Sequence, residues 1–236
     1  MRSRPPVLAH LRFKERAPDF AGLAPKALFT EIWKSNLWGA ETSRSGLGSE
    51  DGATAGLRAG LPSLLERLRV RTLLDLPCGD FGWMSRTHCD LERYIGADIV
   101  DEIIARNAAA FATCDGRISF RVLDLLRDIL PAADAILCRD CFVHLSYANI
   151  GKALGNIRAS NVRWLIATTF TDHHENQDAV DGDWRLLNME AAPFRLPPAF
   201  TMLNEGCKEL GGAYADKSLG VWRTADLPAS LRPLEG

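Results

Sequence analysis

The sequence predicts an α/β fold with a mostly parallel β-sheet that ends in an antiparallel hairpin. Between residues 70 and 170, short apolar runs alternate with segments whose apolar residues recur at helical spacing, which is typical of βαβ units with parallel strands. Near the C-terminus, two strand-like runs flank the turn-rich stretch LGGAYAD, which indicates a hairpin. The length of 236 residues is enough for one large domain of this class.

The N-terminal part precedes this alternation. Residues 1–25 hold four prolines and mixed charges, and we expect a mobile arm or a loosely packed lead-in. Phe29, Ile32 and Trp33 then fall at helical spacing, before a Ser/Gly-rich loop at 43–52. A stripe of leucines from Leu57 to Leu68 predicts a helix that leads to the first strand.

The central elements follow from the apolar runs and their flanking turns. Strands are predicted near 71–76, 93–98, 117–122, 134–138 and 163–169. Helices are predicted near 83–88, 101–112 and 146–159. The hairpin strands are expected within PAFTMLNEGCKE and KSLGVWRTADL.

Composition narrows the class of function. A net charge of −2 provides no broad positive field, so DNA and RNA are disfavoured partners. No stretch approaches 18 consecutive apolar residues, and we expect neither a signal peptide nor a membrane span. Six scattered cysteines suit reduced thiols, which predicts a cytoplasmic protein.

Acidic residues end several of the predicted strands. Asp75 precedes the glycine-containing turn PCGDFG. Asp98 lies 19 residues after Gly79. A ribose-binding acid follows a nucleotide-binding turn at a similar spacing, roughly 20 residues. Asp124 and Asp140 end later strands. In a parallel sheet these carboxylates share one edge, so they are expected to line a common crevice, although each could instead cap the next helix.

Four segments carry a family resemblance: LLDLPCGDFGW, YIGADIV, VLDLL and ILCRDCFVHLS. In order and spacing they resemble successive motifs of class I S-adenosylmethionine-dependent methyltransferases, over about residues 60 to 225. The resemblance implies a Rossmann-like, doubly wound sheet of seven strands and S-adenosylmethionine as cofactor. It also implies an N-terminal helical lid, so we divide the chain into an arm and lid segment, 1–52, and a methyltransferase domain, 53–236.

The resemblance assigns part of the cofactor site to the turn and the lid. Asp75, Gly79 and Gly82 match the glycine motif around the methionine part of the cofactor. In the lid, Ser45 and Gly46 are expected to approach the cofactor carboxylate through their N–H groups.

The residues that match the family's adenosine-binding positions lie at the ends of later strands. Asp98 matches the acid that accepts hydrogen bonds from the ribose hydroxyls, and Ile99 matches a neighbour that packs on adenine. Asp124, followed by Leu125, matches the carboxylate that faces the adenine amino group.

Pro77 departs from the family pattern, because it stands where glycine is usual and supplies no N–H. This leaves a protein that binds the cofactor without catalysis as an alternative. A dinucleotide dehydrogenase ranks third, since its G-x-G-x-x-G turn would need glycine at that position.

Candidate catalytic groups follow the fourth strand. Asp140 and His144 are four residues apart, on one face if the segment is helical, and either could take a proton from an acceptor. His144 has apolar neighbours, and an ordinary buried histidine is the competing interpretation. We expect methyl transfer to a small molecule or a sugar, with oxygen preferred as the acceptor atom.

The polar loop after the fifth strand is the predicted substrate wall. Its candidate residues share a position in the stretch 171–188: His173, His174, Asp183, Trp184 and Arg185. We expect no metal site, because adjacent histidines point in different directions and no ligand spacing is evident. A zinc site at Cys78, Cys138 and Cys141 is disfavoured because it would occupy the cofactor's place.

Overall fold

The computed structural model describes residues 4–228. Five helices span more than two turns: α1 (Leu8–Phe20), α2 (Pro25–Lys34), α3 (Asp51–Arg67), α4 (Asp101–Phe111) and α5 (Tyr147–Ala159). The strands are β1 (Thr72–Asp75), β2 (Arg93–Asp98), β3 (Ile118–Val122), β4 (Ala135–Cys138), β5 (Trp164–Phe170), β6 (Thr201–Asn204) and β7 (Lys217–Arg223). A short helical turn, Glu209–Gly212, connects the last two strands.

These seven strands form one sheet in the order β3-β2-β1-β4-β5-β7-β6. Strands β1 to β5 are parallel, whereas β7 lies antiparallel between β5 and β6. The structure therefore confirms the predicted mostly parallel, seven-stranded sheet with a C-terminal hairpin. A dinucleotide-binding sheet would continue with parallel strands at this edge.

Helices cover both faces of the sheet because its central strands are apolar on both sides. Leu73 of β1 packs with Leu57 and Leu61 of α3 on one face. The next residue, Leu74, packs with Ile150 of α5 on the other face, as the two-residue period of a strand requires. Both cores lie behind the carboxyl ends of β1, β2 and β4, which are thereby held in fixed positions.

The expectation of a mobile or loosely packed arm at residues 1–25 is wrong for residues 4–25, whereas residues 1–3 lie outside the described part of the chain. Helix α1 occupies Leu8–Phe20, and Phe13 and Phe20 stack with ring centroids 5.3 Å apart. Both rings are buried against Leu28 and Ile32 of α2. The sequence does not predict this helix, because its two buried aromatic residues lie seven residues apart among charged residues and form no continuous apolar stripe. Its apolar face becomes evident only from the packing against α2.

The predicted helix near 83–88 is reduced to a single 3-10 turn, Met84–Arg86. Ser85 Oγ donates to the carbonyl of Gly82 at 2.8 Å, and Thr87 Oγ1 donates to that of Trp83 at 3.0 Å. Such local side-chain bonds compete with the extension of a helix.

Within residues 4–228, no helix is both long and apolar enough to cross a membrane. All six cysteines of the chain are unpaired.

Candidate functional site

A pocket opens at the carboxyl ends of β1, β2 and β4, and we call it the strand-end pocket. Its lining includes seven of the nine residues predicted for cofactor binding: Ser45, Asp75, Gly79, Asp98, Ile99, Asp124 and Leu125. Of the other two, Gly46 lines a neighbouring pocket, and Gly82 lines neither, its N–H donating to the carboxylate of Asp80 at 3.1 Å. The parallel topology thus brings together side chains that are far apart in sequence.

The turn after β1 passes close to the N-terminal segment. Gly79 has a φ of +53°, and a Cβ at this position would lie 2.3 Å from Ser45 Oγ. The N–H of Asp80 donates to the same Ser45 oxygen at 3.0 Å. Glycine is therefore required here both for the left-handed backbone and for the close approach of Ser45.

Asp98 combines burial with unused hydrogen-bonding capacity. Its two carboxylate oxygens accept the N–H of Gly79 at 3.3 Å and the N–H of Val100 at 3.0 Å. Burial raises its pKa to about 6, although these backbone donors act in the opposite direction. A carboxylate has about four acceptor sites, so two remain for a ligand.

Asp75 lies deeper in the same pocket. Its carboxylate accepts the hydroxyl hydrogen of Tyr94 at 2.6 Å. Burial raises its pKa to about 7, while the Tyr94 hydrogen bond and the charge of Arg139 lower it. Protonation of Asp75 is therefore sensitive to any charge that enters the pocket.

Asp124 is more exposed than Asp98, and its carboxylate contacts its own loop. One carboxylate oxygen accepts the N–H of Leu126 at 2.9 Å, and the other pairs with Arg127 at 3.0 Å. Because Asp124 is more exposed, a hydrogen bond from a ligand would compete with water more than at Asp98.

The N-terminal segment provides the outer wall of the strand-end pocket, through Phe29, Trp33, Trp38, Arg44 and Ser49 in addition to Ser45. Trp33 lies between two guanidinium groups, those of Arg44 and Arg106, which are 5.4 and 4.9 Å from its ring centroid. These contacts hold Trp33 in the wall of the strand-end pocket, which Asp98 also lines.

A second pocket, which we call the adjoining pocket, shares a wall with the first. The residues common to both are Trp38, Ser45, Asp140 and His144. Both predicted catalytic residues therefore lie between the two pockets. They do not share a helix, however, because Asp140 has a φ of +50° and His144 ends the 3-10 turn Phe142–His144.

Asp140 belongs to a cluster of four charges. Its carboxylate lies 2.6 Å from Lys217 Nζ and 3.4 Å from Arg139. Arg139 also pairs with the buried Glu205 at 2.7 Å, and Lys217 lies 3.6 Å from the same glutamate. Burial by itself would raise the pKa of Asp140, but the two cations more than offset it and hold the pKa well below its usual value. Asp140 is consequently a weak base.

His144 is buried against Trp38, with ring centroids 4.6 Å apart. Its Nδ1 lies 3.1 Å from the carbonyl oxygen of Asp183, which can only accept, so Nδ1 carries the hydrogen and Nε2 the lone pair. Burial lowers the pKa of His144 to about 4 despite the nearby Asp140. The ring is neutral at pH 7.

The predicted substrate residues are mostly placed elsewhere. Among the described residues, Trp184 lines the adjoining pocket, whereas His173, His174, Asp183 and Arg185 do not. Asp183 is buried beneath α1, where its carboxylate contacts His10 Nδ1 at 2.8 Å. Arg185 donates to the carbonyls of Phe142, at 2.8 Å, and Leu145, and so braces the loop that carries His144.

Several residues of the two pockets and of the charge cluster were not predicted from the sequence. They share the charge cluster or the wall of the adjoining pocket: Arg139, Glu205, Glu209, Tyr214 and Lys217. Four of them come from the hairpin, whose antiparallel return places Lys217 beside Asp140 across 77 positions of sequence. A lysine at the start of a strand as apolar as KSLGVW was the available signal, because a buried lysine needs a partner.

Among residues 4–228, no group of three or more His, Cys, Asp or Glu side chains is arranged to hold a metal ion.

No protein-family model matches the sequence, and no curated protein matches it significantly. Solved structures do match. The N-methyltransferase NodS from Bradyrhizobium japonicum WM9, in complex with S-adenosyl-L-homocysteine, is similar over 85% of this chain and 98% of that chain, with 15% identity and a TM-score of 0.57. The methyltransferase domain of bacterial CtHen1, as CtHen1-C, is similar over 71% of this chain and 96% of that chain, with 14% identity and a TM-score of 0.53.

The chain spans less than two thirds of the length of another structure of that domain, CtHen1-CN. The match covers 48% of this chain and 65% of that chain, with 16% identity and a TM-score of 0.43. At these identities the likeness to NodS and CtHen1-C is one of fold.

Proposed function

Since this chain has the fold of class I S-adenosylmethionine-dependent methyltransferases, we propose that it binds S-adenosylmethionine in the strand-end pocket and methylates a small molecule held in the adjoining pocket. One observation carries the proposal: the glycine turn and three strand-end carboxylates line a pocket that shares a wall with a second one. A donor and an acceptor need two such sites in contact.

The residues of the strand-end pocket fit this cofactor. The free acceptor sites of Asp98 would suit the two hydroxyls of a ribose, Ile99 and Leu125 would provide apolar contact for adenine, and Asp124 would accept from its amino group. Gly79 brings the turn close to Ser45, at the end assigned to the methionine part. The bound cofactor supplies a methyl group on a positively charged sulfur.

The chain's own contribution to methyl transfer is to align the acceptor and to exclude water. Trp38 and Ser45 line both pockets and would therefore border the donor and the acceptor. The sequence-based expectation of an oxygen acceptor also requires a base. His144 is the better-placed candidate for it, because its lone pair lies on Nε2, whereas Asp140 is held by Lys217 and Arg139.

We further propose that the protein is cytoplasmic and that its partner is a small molecule. The unpaired state of its cysteines and the net charge of −2 support this environment and disfavour nucleic acid.

A turnover assay tests the proposed reaction. Purified protein is incubated with S-adenosylmethionine and a panel of small amines, alcohols and acids, and S-adenosylhomocysteine is measured by chromatography. We expect its formation to depend on both the protein and an acceptor. Binding of the cofactor without turnover on a broad panel would contradict catalysis.

One feature of the turn favours a second candidate, a protein that binds the cofactor without transferring methyl groups. Pro77 has no N–H, and the N–H groups of Cys78, Gly79 and Asp80 already donate to Ala97, Asp98 and Ser45 respectively. The turn thus offers a ligand no free donor unless Ser45 moves. Turnover with any acceptor in the panel would eliminate this candidate.

A further inference from the structure

The adjoining pocket has an aromatic wall. Phe170, Trp184 and Tyr214 pack edge to face, with ring centroids 5.5 to 6.1 Å apart, and Trp38 lies across the pocket in the wall shared with the strand-end pocket. Aromatic faces attract cations and flat apolar groups. The pocket is therefore shaped for a ligand with an apolar body.

Most charges at this pocket are already neutralised by a partner. Lys217 is paired with Asp140 at 2.6 Å, and Arg139 with Glu205 at 2.7 Å. Beside Tyr214, Arg4 is paired with Asp216, through two hydrogen bonds of 2.5 and 3.0 Å. Together these three pairs leave no net charge.

Glu209 is the exception. It lines the adjoining pocket, is half-buried, and has no ion-pair partner within 4.0 Å among residues 4–228. Lys217 and Asp140 are the charged groups that act on it most, in opposite directions. The pocket consequently has one uncompensated carboxylate beside its aromatic wall.

The groups next to the strand-end pocket are poor bases. Asp140 is fixed between two cations, and burial of the His144 ring against Trp38 lowers its pKa to about 4, so its free Nε2 binds a proton only weakly. A hydroxyl acceptor needs its proton removed during the reaction, whereas an amine needs only to lose the proton of its ammonium form beforehand. The wall between the pockets thus suits nitrogen better than oxygen.

We propose that the adjoining pocket binds an amine-bearing small molecule, with its ammonium group on Glu209 and its apolar body against Phe170, Trp184 and Tyr214. This deepens the proposed function, on which it rests, and replaces the sequence-based preference for oxygen. The ammonium proton passes to Glu209 or to water. The nitrogen lone pair then forms the N–C bond while the electron pair of the breaking S–C bond stays on sulfur.

Calorimetry with two matched probes tests the charge of the ligand. The wild-type protein, saturated with S-adenosylhomocysteine at pH 7, is titrated with 2-phenylethylamine, a cation, and with 2-phenylethanol, its neutral analogue. We expect the amine to bind at least about tenfold more tightly, because it gains a charge-assisted contact with Glu209. Equal affinities, or no detectable binding of the amine, would overturn the inference.

Two variants assign the preference to one side chain. Glu209→Gln should abolish the difference between amine and alcohol, while Glu175→Gln, at an exposed loop residue outside both pockets, should preserve it. An undiminished preference in Glu209→Gln would contradict the assignment. Failure of S-adenosylhomocysteine to bind would instead refute the proposed function, so the two failures are distinguishable.

The site of methylation gives an independent readout. With S-adenosylmethionine labelled with ¹³C at its methyl group and a panel of amines and alcohols, the methyl chemical shift of the product identifies the acceptor atom. An N-methyl product supports the inference, and an O-methyl product, or turnover of no amine, overturns it.

Discussion

Replacing Asp98 by asparagine should separate cofactor affinity from stability. The carboxylate accepts N–H groups from Gly79 and Val100 and keeps acceptor sites that we propose bind the ribose hydroxyls. Asparagine retains an oxygen for Val100 but removes the negative charge and turns the other acceptor into a donor. Each hydrogen bond to a charged group contributes about 1.5–3 kcal/mol, so the loss of one such bond weakens binding roughly ten- to hundredfold.

The ligand-free protein should respond differently to the same change. Burial of Asp98 raises its pKa to about 6, which means that the folded state holds a carboxylate in unfavourable surroundings at pH 7. We therefore expect the melting temperature of ligand-free Asp98→Asn to change little, because removal of the buried charge offsets the lost hydrogen bond from Gly79. A marked drop would show that Asp98 mainly stabilises the turn.

Calorimetric titration with S-adenosylhomocysteine measures the affinities. Asp124→Asn should lose less, because Asp124 is more exposed than Asp98 and would meet only the single neutral amino group of adenine. Asp101→Asn, at an exposed residue outside the pocket, should lose nothing. Wild-type affinity in Asp98→Asn would refute the placement of the ribose.

Three further predictions follow from the same geometry. Burial raises the pKa of Asp75 to about 7 from its ordinary 3.8. Between pH 3.8 and 7 the folded protein therefore binds more protons than the unfolded chain. The contribution of Asp75 to stability should consequently be lost as the pH rises from about 4 through 7. Thermal melts should therefore show a stability that falls less, or rises more, with pH in Asp75→Asn than in the wild type, and identical pH profiles would contradict the assignment. If the acceptor is an amine, His144→Gln should lower turnover less than about tenfold, whereas a loss of roughly 100- to 10,000-fold would indicate a base and a hydroxyl acceptor. Gly79→Ala should destabilise the protein and weaken cofactor binding, because its Cβ would lie 2.3 Å from the Ser45 oxygen. The control Gly116→Ala also has a positive φ but nothing within 4 Å of its Cβ, so it should incur only the backbone strain of about 1–2 kcal/mol. Chemical denaturation of both variants measures the two losses of stability, and equal losses would refute the role of the close contact.

The sheet was predictable because each central strand is an apolar run bounded by turns. Strand β2, for example, occupies the predicted interval 93–98, and the hairpin strands β6 and β7 pair as expected. Helix α1 was not predictable, since Phe13 and Phe20 acquire an apolar face only when α2 is beside them. Local pattern therefore predicts the buried strands and also helices α4 and α5, which lie within one residue of their predicted bounds, but not a helix such as α1.

The same distinction applies to the site. Asp75, Asp98 and Asp124 could be placed together because parallel strands expose their carboxyl ends at one edge. The pairing of Lys217 with Asp140 depends on the register of the antiparallel hairpin, which no local motif encodes. Asp183 and Arg185 have side chains typical of a substrate wall, yet their partners, His10 and the carbonyls around His144, are visible only in three dimensions.

The central claim is that the strand-end pocket binds an adenosyl sulfur cofactor, and calorimetric titration of the purified protein tests it most directly. We predict that S-adenosylmethionine and S-adenosylhomocysteine each bind at a single site per chain and compete with one another, and that reduced NAD does not displace them. Absence of measurable binding by either adenosyl compound, or displacement of both by reduced NAD, would contradict the account.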